Sequence, residues 1–152
     1  MSSSNRYFED LAIGEQWVHP PFAVTQEEII RFGREYDPQP MHTDAEQAAR
    51  SPFGGLIASG WHVAALVMRL NVQSRSFGDT PILGAGVDEL RWLQPVRPDD
   101  ALTLERTIEN LEPPTRPGGR GTVRLRMTLS NQRQETVMTM VGIVKIPSRP
   151  AA

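Results

Sequence analysis

From Ile82 onward the chain reads as long strands. Val123, Leu125, Met127 and Leu129 alternate with Thr122, Arg124, Arg126 and Thr128, the period of two expected of a strand with one buried face. Leu102, Leu104 and Ile108 repeat the pattern in an earlier segment, with Arg106 as its exception, and Val137 to Val144 is apolar on both faces, as a central strand would be. The interruptions at Pro95–Pro98, at Glu112 to Gly121 and near Asn131-Gln132 suit antiparallel connections.

The first half has a different period. Thr25-Gln26-Glu27-Glu28 has the form of a capping box, and Ile29, Phe32 and Tyr36 then recur at helical spacing until Pro38 stops the helix. Thr43 to Glu46 repeats the capping pattern and predicts a short helix to about Arg50, with Asp44 read most simply as an N-cap. This puts Asp37 just after one helix and His42 just before another. Trp61 to Val72 is apolar on nearly every side apart from Arg69 and Asn71, which predicts a helix inside the protein. Trp17 to Val24 is expected as an edge strand, because Pro20 and Pro21 do not suit a central one. One buried helix against a curved antiparallel sheet is the simplest packing, an α+β class.

Composition narrows the function classes. A chain of 152 residues, 39% hydrophobic and 22% charged, suits one domain over residues 1–152 that buries roughly two-thirds of its unfolded surface. Loose tails are expected at about 1–6 and 148–152. A net charge of −2 and a pI near 5.9 give no basic field for nucleic acid. The absence of cysteine excludes disulfides, thiol catalysis and sulfur-ligated zinc. The N-terminus lacks an apolar signal core, and the longest apolar run, Val63 to Met68, is too short to span a bilayer. A soluble cytoplasmic protein is the expectation.

The candidate chemistry sits in Asp37-Pro38-Gln39-Pro40-Met41-His42-Thr43-Asp44. Its prolines fix their own φ and push Asp37 and Gln39 away from helical geometry. Fully extended, five residue steps span roughly 17 Å, so a carboxylate and an imidazole share one water only if the segment bends. Ser59 precedes the apolar helix without the surroundings of a nucleophile elbow, and capping is the simpler role. His62 reads as structural. His42-x-Asp44 has no third metal ligand at suitable spacing, and Gly84-x-Gly86 reads as a strand bend rather than a dinucleotide loop.

Asp37-x-x-Pro40-x-His42-x-Asp44, followed by Pro52-Phe53-Gly54-Gly55-Leu56-Ile57-Ala58-Ser59-Gly60 and the apolar helix, resembles the MaoC-like dehydratases, the (R)-specific enoyl-CoA hydratases. The segment Asp88 to Asp100, with its Pro95-Val96-Arg97-Pro98-Asp99-Asp100 turn, extends the resemblance to roughly residues 7–147. It implies a hot-dog fold, a curved sheet wrapped around a central helix, acting as a homodimer or higher homo-oligomer on acyl thioesters of coenzyme A or acyl-carrier protein, with no cofactor, metal, nucleic acid or membrane. By position it makes Asp37 and His42 the catalytic pair and the Gly60 amide the donor to the thioester carbonyl. Gln39, Ser59, Trp61 and Met68 are expected at the substrate, the last two beside an acyl slot. Arg116 and Arg120 are read first as a solvated loop and second as phosphate ligands. Gln39, Tyr36 and Ser59 depart from the family's usual Asn, Gly and His, so the preferred acyl group need not be a straight chain.

Water addition across an α,β-unsaturated thioester needs a base for the water, an acid for the α-carbon and a donor for the enolate oxygen, and positioned acid/base groups contribute about 10²–10⁴-fold. The expected activity is reversible hydration of a 2-enoyl-CoA to an (R)-3-hydroxyacyl-CoA. A hot-dog thioesterase and a non-catalytic acyl-thioester binding subunit remain the alternatives.

Overall fold

The computed structural model describes residues 5–151. A 3-10 turn at Phe8–Asp10 is followed by β1 (Gln16–Val18), β2 (Phe22–Ala23), α1 (Gln26–Tyr36), α2 (Pro40–Thr43), α3 (Ala45–Ala49), α4 (Gly60–Gln73), β3 (Leu83–Trp92), β4 (Ala101–Glu112), β5 (Arg120–Ser130) and β6 (Thr136–Pro147). All pairings are antiparallel, in the order β1-β4-β5-β6-β3, with β2 on β4 beyond β1. The predicted edge strand is therefore two short strands. His19 N still donates to Leu104 O, and Pro20 and Pro21 then interrupt it, because proline offers no amide to the ladder.

The alternation in β5 buries Val123, Leu125, Met127 and Leu129, together with Leu102, Leu104 and Ile108 from β4 and Met138, Val144 and Ile146 from β6. Val63, Leu66, Val67 and Leu70 of α4 join the same cluster, so the sheet curves around this helix. This is the hot-dog arrangement. Arg106 is no exception to the buried face, being 2% exposed on it. Its guanidinium donates to Asn71 Oδ1 and Ser76 Oγ at 2.8 Å and lies 5.3 Å from the Trp17 ring.

Four expectations change. Thr43 closes α2 instead of opening the next helix, and Asp44 caps α3 by accepting from Glu46 N and Gln47 N. His42 lies inside a one-turn helix that Pro40 starts, since proline is preorganised for the first helical position. Helix α4 is covered on one side only, with Trp61, Met68 and Val72 exposed. The chain ends are tied where described: Arg6 pairs with Glu15, Ser148 N donates to Gly119 O, and Arg149 pairs with Asp10 and stacks on Tyr7. Residues 1–4 and 152 lie outside the described residues. No helix among the described residues is long and apolar enough to cross a membrane.

Candidate active site

Helix α1 ends where the sequence predicts. The Thr25 hydroxyl accepts from Glu28 N, and the Glu28 carboxylate accepts from Thr25 N. Asp37 is the C-cap, its amide donating to Gly33 O. Two residues later Gln39 N donates back to Asp37 O, and His42 N donates to Gln39 O. The Pro-rich segment thus bends rather than extends, and His42 Nε2 comes within 3.2 Å of Asp37 Oδ2.

Each member of the pair is held separately. His42 is 5% exposed, and its Nδ1 lies 2.7 Å from Ile57 O. A carbonyl only accepts, so Nδ1 carries a proton and Nε2 is the nitrogen left to face Asp37. Gln39 Nε2 donates to Asp37 Oδ1 at 2.8 Å. That bond foremost, then the Ser59 hydroxyl and His42, holds the Asp37 carboxyl below the usual carboxylate range against the opposing effect of burial.

Gly60 joins the pair through the segment preceding α4. Ile57 N donates to Met41 O at 3.0 Å and Ala58 N to Val96 O at 2.8 Å, so residues 57–60 are clamped between the His42 turn and the loop after β3. Gly60 opens α4, where the first amides have no carbonyl within the helix and carry the positive end of its dipole. His42 and Gly60 both line a cavity of about 370 Å³ whose remaining wall is Phe53, Ile57, Ala58, Val63, Trp92, Leu93, Gln94, Pro95, Val96 and Val137. A largely apolar slot with a few convergent polar groups is the usual form of a small-molecule site.

The other expected residues divide. Gln39 braces Asp37. Ser59 stands at the N-cap but makes no capping bond; its Oγ is buried without a full hydrogen bond and acts on Asp37 at longer range. Trp61 is 62% exposed and reaches the cavity only through an edge-on contact with Trp92, ring centroids 5.1 Å apart. Met68 lies on the exposed face of α4, about 12 Å along the axis from Gly60, and is not in the cavity wall. His62 turns to the other side of α4, stacked on Phe32 at 4.7 Å. Arg116 and Arg120 line a separate hollow with Lys145. Lys145 is about 26 Å along β6 from Val137, so the two arginines are remote from the pair of their own chain.

Two residues escaped the sequence reading. A Cβ on Gly33 would lie 2.8 Å from His42 O and 2.9 Å from His42 Cβ, so its bare backbone lets α2 sit directly on α1. A glycine inside a helical pattern was the available signal. Trp92 ends β3 against Gly60, a contact across 32 positions that no local pattern encodes.

The MaoC like domain matches residues 9–131. The crystal structure of the MaoC-like dehydratase from Rhodospirillum rubrum is 41% identical with a TM-score of 0.83, over 95% of this chain and 99% of that one. Protein YdeM of Bacillus subtilis is 30% identical over 129 residues, 85% of this chain and 90% of its own. The 3-hydroxybutyryl-CoA dehydratase of Methylorubrum extorquens is 29% identical over 151 residues, 96% of this chain and 87% of its own.

Proposed function

Because the chain belongs to the MaoC like domain family, we propose that it is a hydro-lyase that reversibly adds water to a 2-enoyl-CoA to give an (R)-3-hydroxyacyl-CoA. The observation that carries this reading is the 3.2 Å contact of Asp37 and His42 beside an apolar cavity into which α4 presents its first turn.

With Nδ1 committed to Ile57 O, all proton traffic of His42 passes through Nε2. Asp37, held ionised, takes a proton from water as the oxygen attacks C3. His42 enters the step as the imidazolium, with its second proton on Nε2 beside the Asp37 carboxylate, and gives that proton to C2. The negative charge that develops on the thioester oxygen falls on the Gly60 amide, and removing one such donor commonly costs about 10²–10³ in rate. The water proton then returns from Asp37 Oδ2 to His42 Nε2 across their direct contact, restoring both groups. His42 lines the cavity and Asp37 stands directly behind it, 3.2 Å from Nε2, so water and proton are delivered to one face of the double bond.

The reading includes a homodimer. Strand β3 has β6 on one side and, among the described residues, no partner on the other. A ten-residue open edge with exposed Leu83 and Val87 is a template for a second strand. Trp61, Met68 and Val72 form an exposed apolar stripe on α4, and a second copy joined edge to edge would cover it.

The test is turnover of crotonyl-CoA. Loss of enoyl absorbance without free thiol is expected, and Asp37→Asn or His42→Ala should abolish it while leaving the thermal melt cooperative. Unchanged turnover in those variants would remove their roles. Thiol release would instead identify a thioesterase, and tight acyl-CoA binding without turnover across graded acyl chains a binding subunit.

A further inference from the structure

Gly60 marks a close approach from outside its helix. A Cβ built there would lie 2.5 Å from Trp92 Cε2, 2.7 Å from Cδ2 and 2.9 Å from Nε1. The indole of Trp92 thus occupies the space that any other residue at position 60 would fill. A carbon–carbon bond being about 1.5 Å long, Trp92 Nε1 is no farther than about 4.4 Å from Gly60 Cα. It is then within about 6 Å of Gly60 N, the N–Cα bond adding roughly another 1.5 Å. One oxygen placed about 2.7–3.1 Å from each of two donors bridges that span.

Three further observations bear on the indole. It lines the same cavity as His42 and Gly60. Among the described residues Nε1–H, which is a donor only, has no acceptor. The backbone beyond it is fixed, Leu93 N and Gln94 N both donating to Val137 O, while the side chain remains 44% exposed beside Trp61. The ring can therefore adjust about its own torsions without the strand moving.

We propose that Trp92 is a further catalytic residue, whose indole N–H joins the Gly60 amide in binding the thioester oxygen and the enolate that forms from it. This rests on the hydration reading and deepens it. It also accounts for glycine at position 60 on steric grounds: with a side chain there, the second donor could not reach the first.

The experiment compares wild type with Trp92→Phe, which keeps an aromatic ring and removes the donor. Hydration of crotonyl-CoA should lose about 10²-fold in kcat with KM little changed. The carbonyl stretch of bound butyryl-CoA, a saturated thioester that does not react, should lie at lower frequency in wild type than in the variant. Unchanged kcat overturns the proposal, and so does a fall in kcat with the carbonyl band unmoved, which assigns the ring a steric role. If Trp92→Phe does not fold, the wild-type protein labelled with ¹⁵N-tryptophan serves instead. Butyryl-CoA should move the Trp92 indole N–H resonance downfield and leave that of Trp17 in place, and a stationary Trp92 resonance overturns the proposal. Failure of the hydration reading is separate: wild type would then turn over no enoyl-CoA, while both measurements on bound butyryl-CoA still report on the donor.

Discussion

Replacing Gly33 with Ala tests whether packing remote from the substrate sets the acid/base geometry. Inside a helix this change ordinarily stabilises by about 1 kcal/mol. Here the new Cβ would stand 2.8 Å from His42 O, 2.9 Å from His42 Cβ and 3.1 Å from Thr43 Cγ2. Carbon atoms prefer roughly 3.5–4.0 Å, so α2 has to retreat by about 0.6 Å or more. Overpacking of this kind costs about 1–3 kcal/mol, which leaves a net loss of up to about 2 kcal/mol. At about 2–4 °C per kcal/mol for a domain of this size, the melting temperature falls by up to about 8 °C. The retreat carries His42 but not Asp37, whose helix end is fixed by its own bond to Gly33 O. A misplacement of about 1 Å can cost 10²-fold in rate, so kcat for crotonyl-CoA should fall about 10- to 100-fold. Gly84→Ala is the control, because nothing lies within 4 Å of a Cβ there. A Gly33→Ala protein that melts at or above wild type with unchanged kcat would refute the claim that the α1–α2 contact positions His42.

Three other outcomes follow from named contacts. His62 is buried, its Nδ1 has no hydrogen-bond partner among the described residues, and burial holds its pKa below the ordinary histidine value despite the opposing pull of Glu28. The unfolded chain therefore binds the proton first, and wild-type stability should decline as pH falls below about 6.5; His62→Phe, which can keep the stack on Phe32, should lose that decline in chemical denaturation, and an identical pH profile would exclude His62 as its source. Asp37 has a lowered pKa, so its stabilisation is present above its unfolded value near 4 and is lost as pH falls through the folded value; Asp37→Asn should be less stable than wild type at pH 7, with the gap closing in acid, and a gap independent of pH would contradict this. Val87→Lys places a charge on the open edge of β3, and sedimentation should show it shifting toward monomer; a dimer as tight as wild type would move the interface elsewhere.

The sequence determined the elements whose signals are local. The period of two fixed the buried faces of β4 and β5, the capping box fixed the start of α1, and Pro38 its end, because each depends on neighbours within one or two turns. The bend between Asp37 and His42 was legible as a requirement of shared chemistry, and its spacing made the pair recognisable. Local pattern failed where distant segments compete for the same residue. Arg106 looked like a break in a strand until Asn71, Ser76 and Trp17 supplied its partners. Trp61 and Met68 looked buried, yet a single curved sheet covers only one side of a helix. Ser59 has a capping residue's identity but faces Asp37, since the clamp on residues 57–60 sets its direction. Tertiary structure alone decided that Gly33 admits α2 and that Gly60 admits Trp92. Both are contacts made by the absence of a side chain, and whether an absence is used depends on what the rest of the fold brings to it.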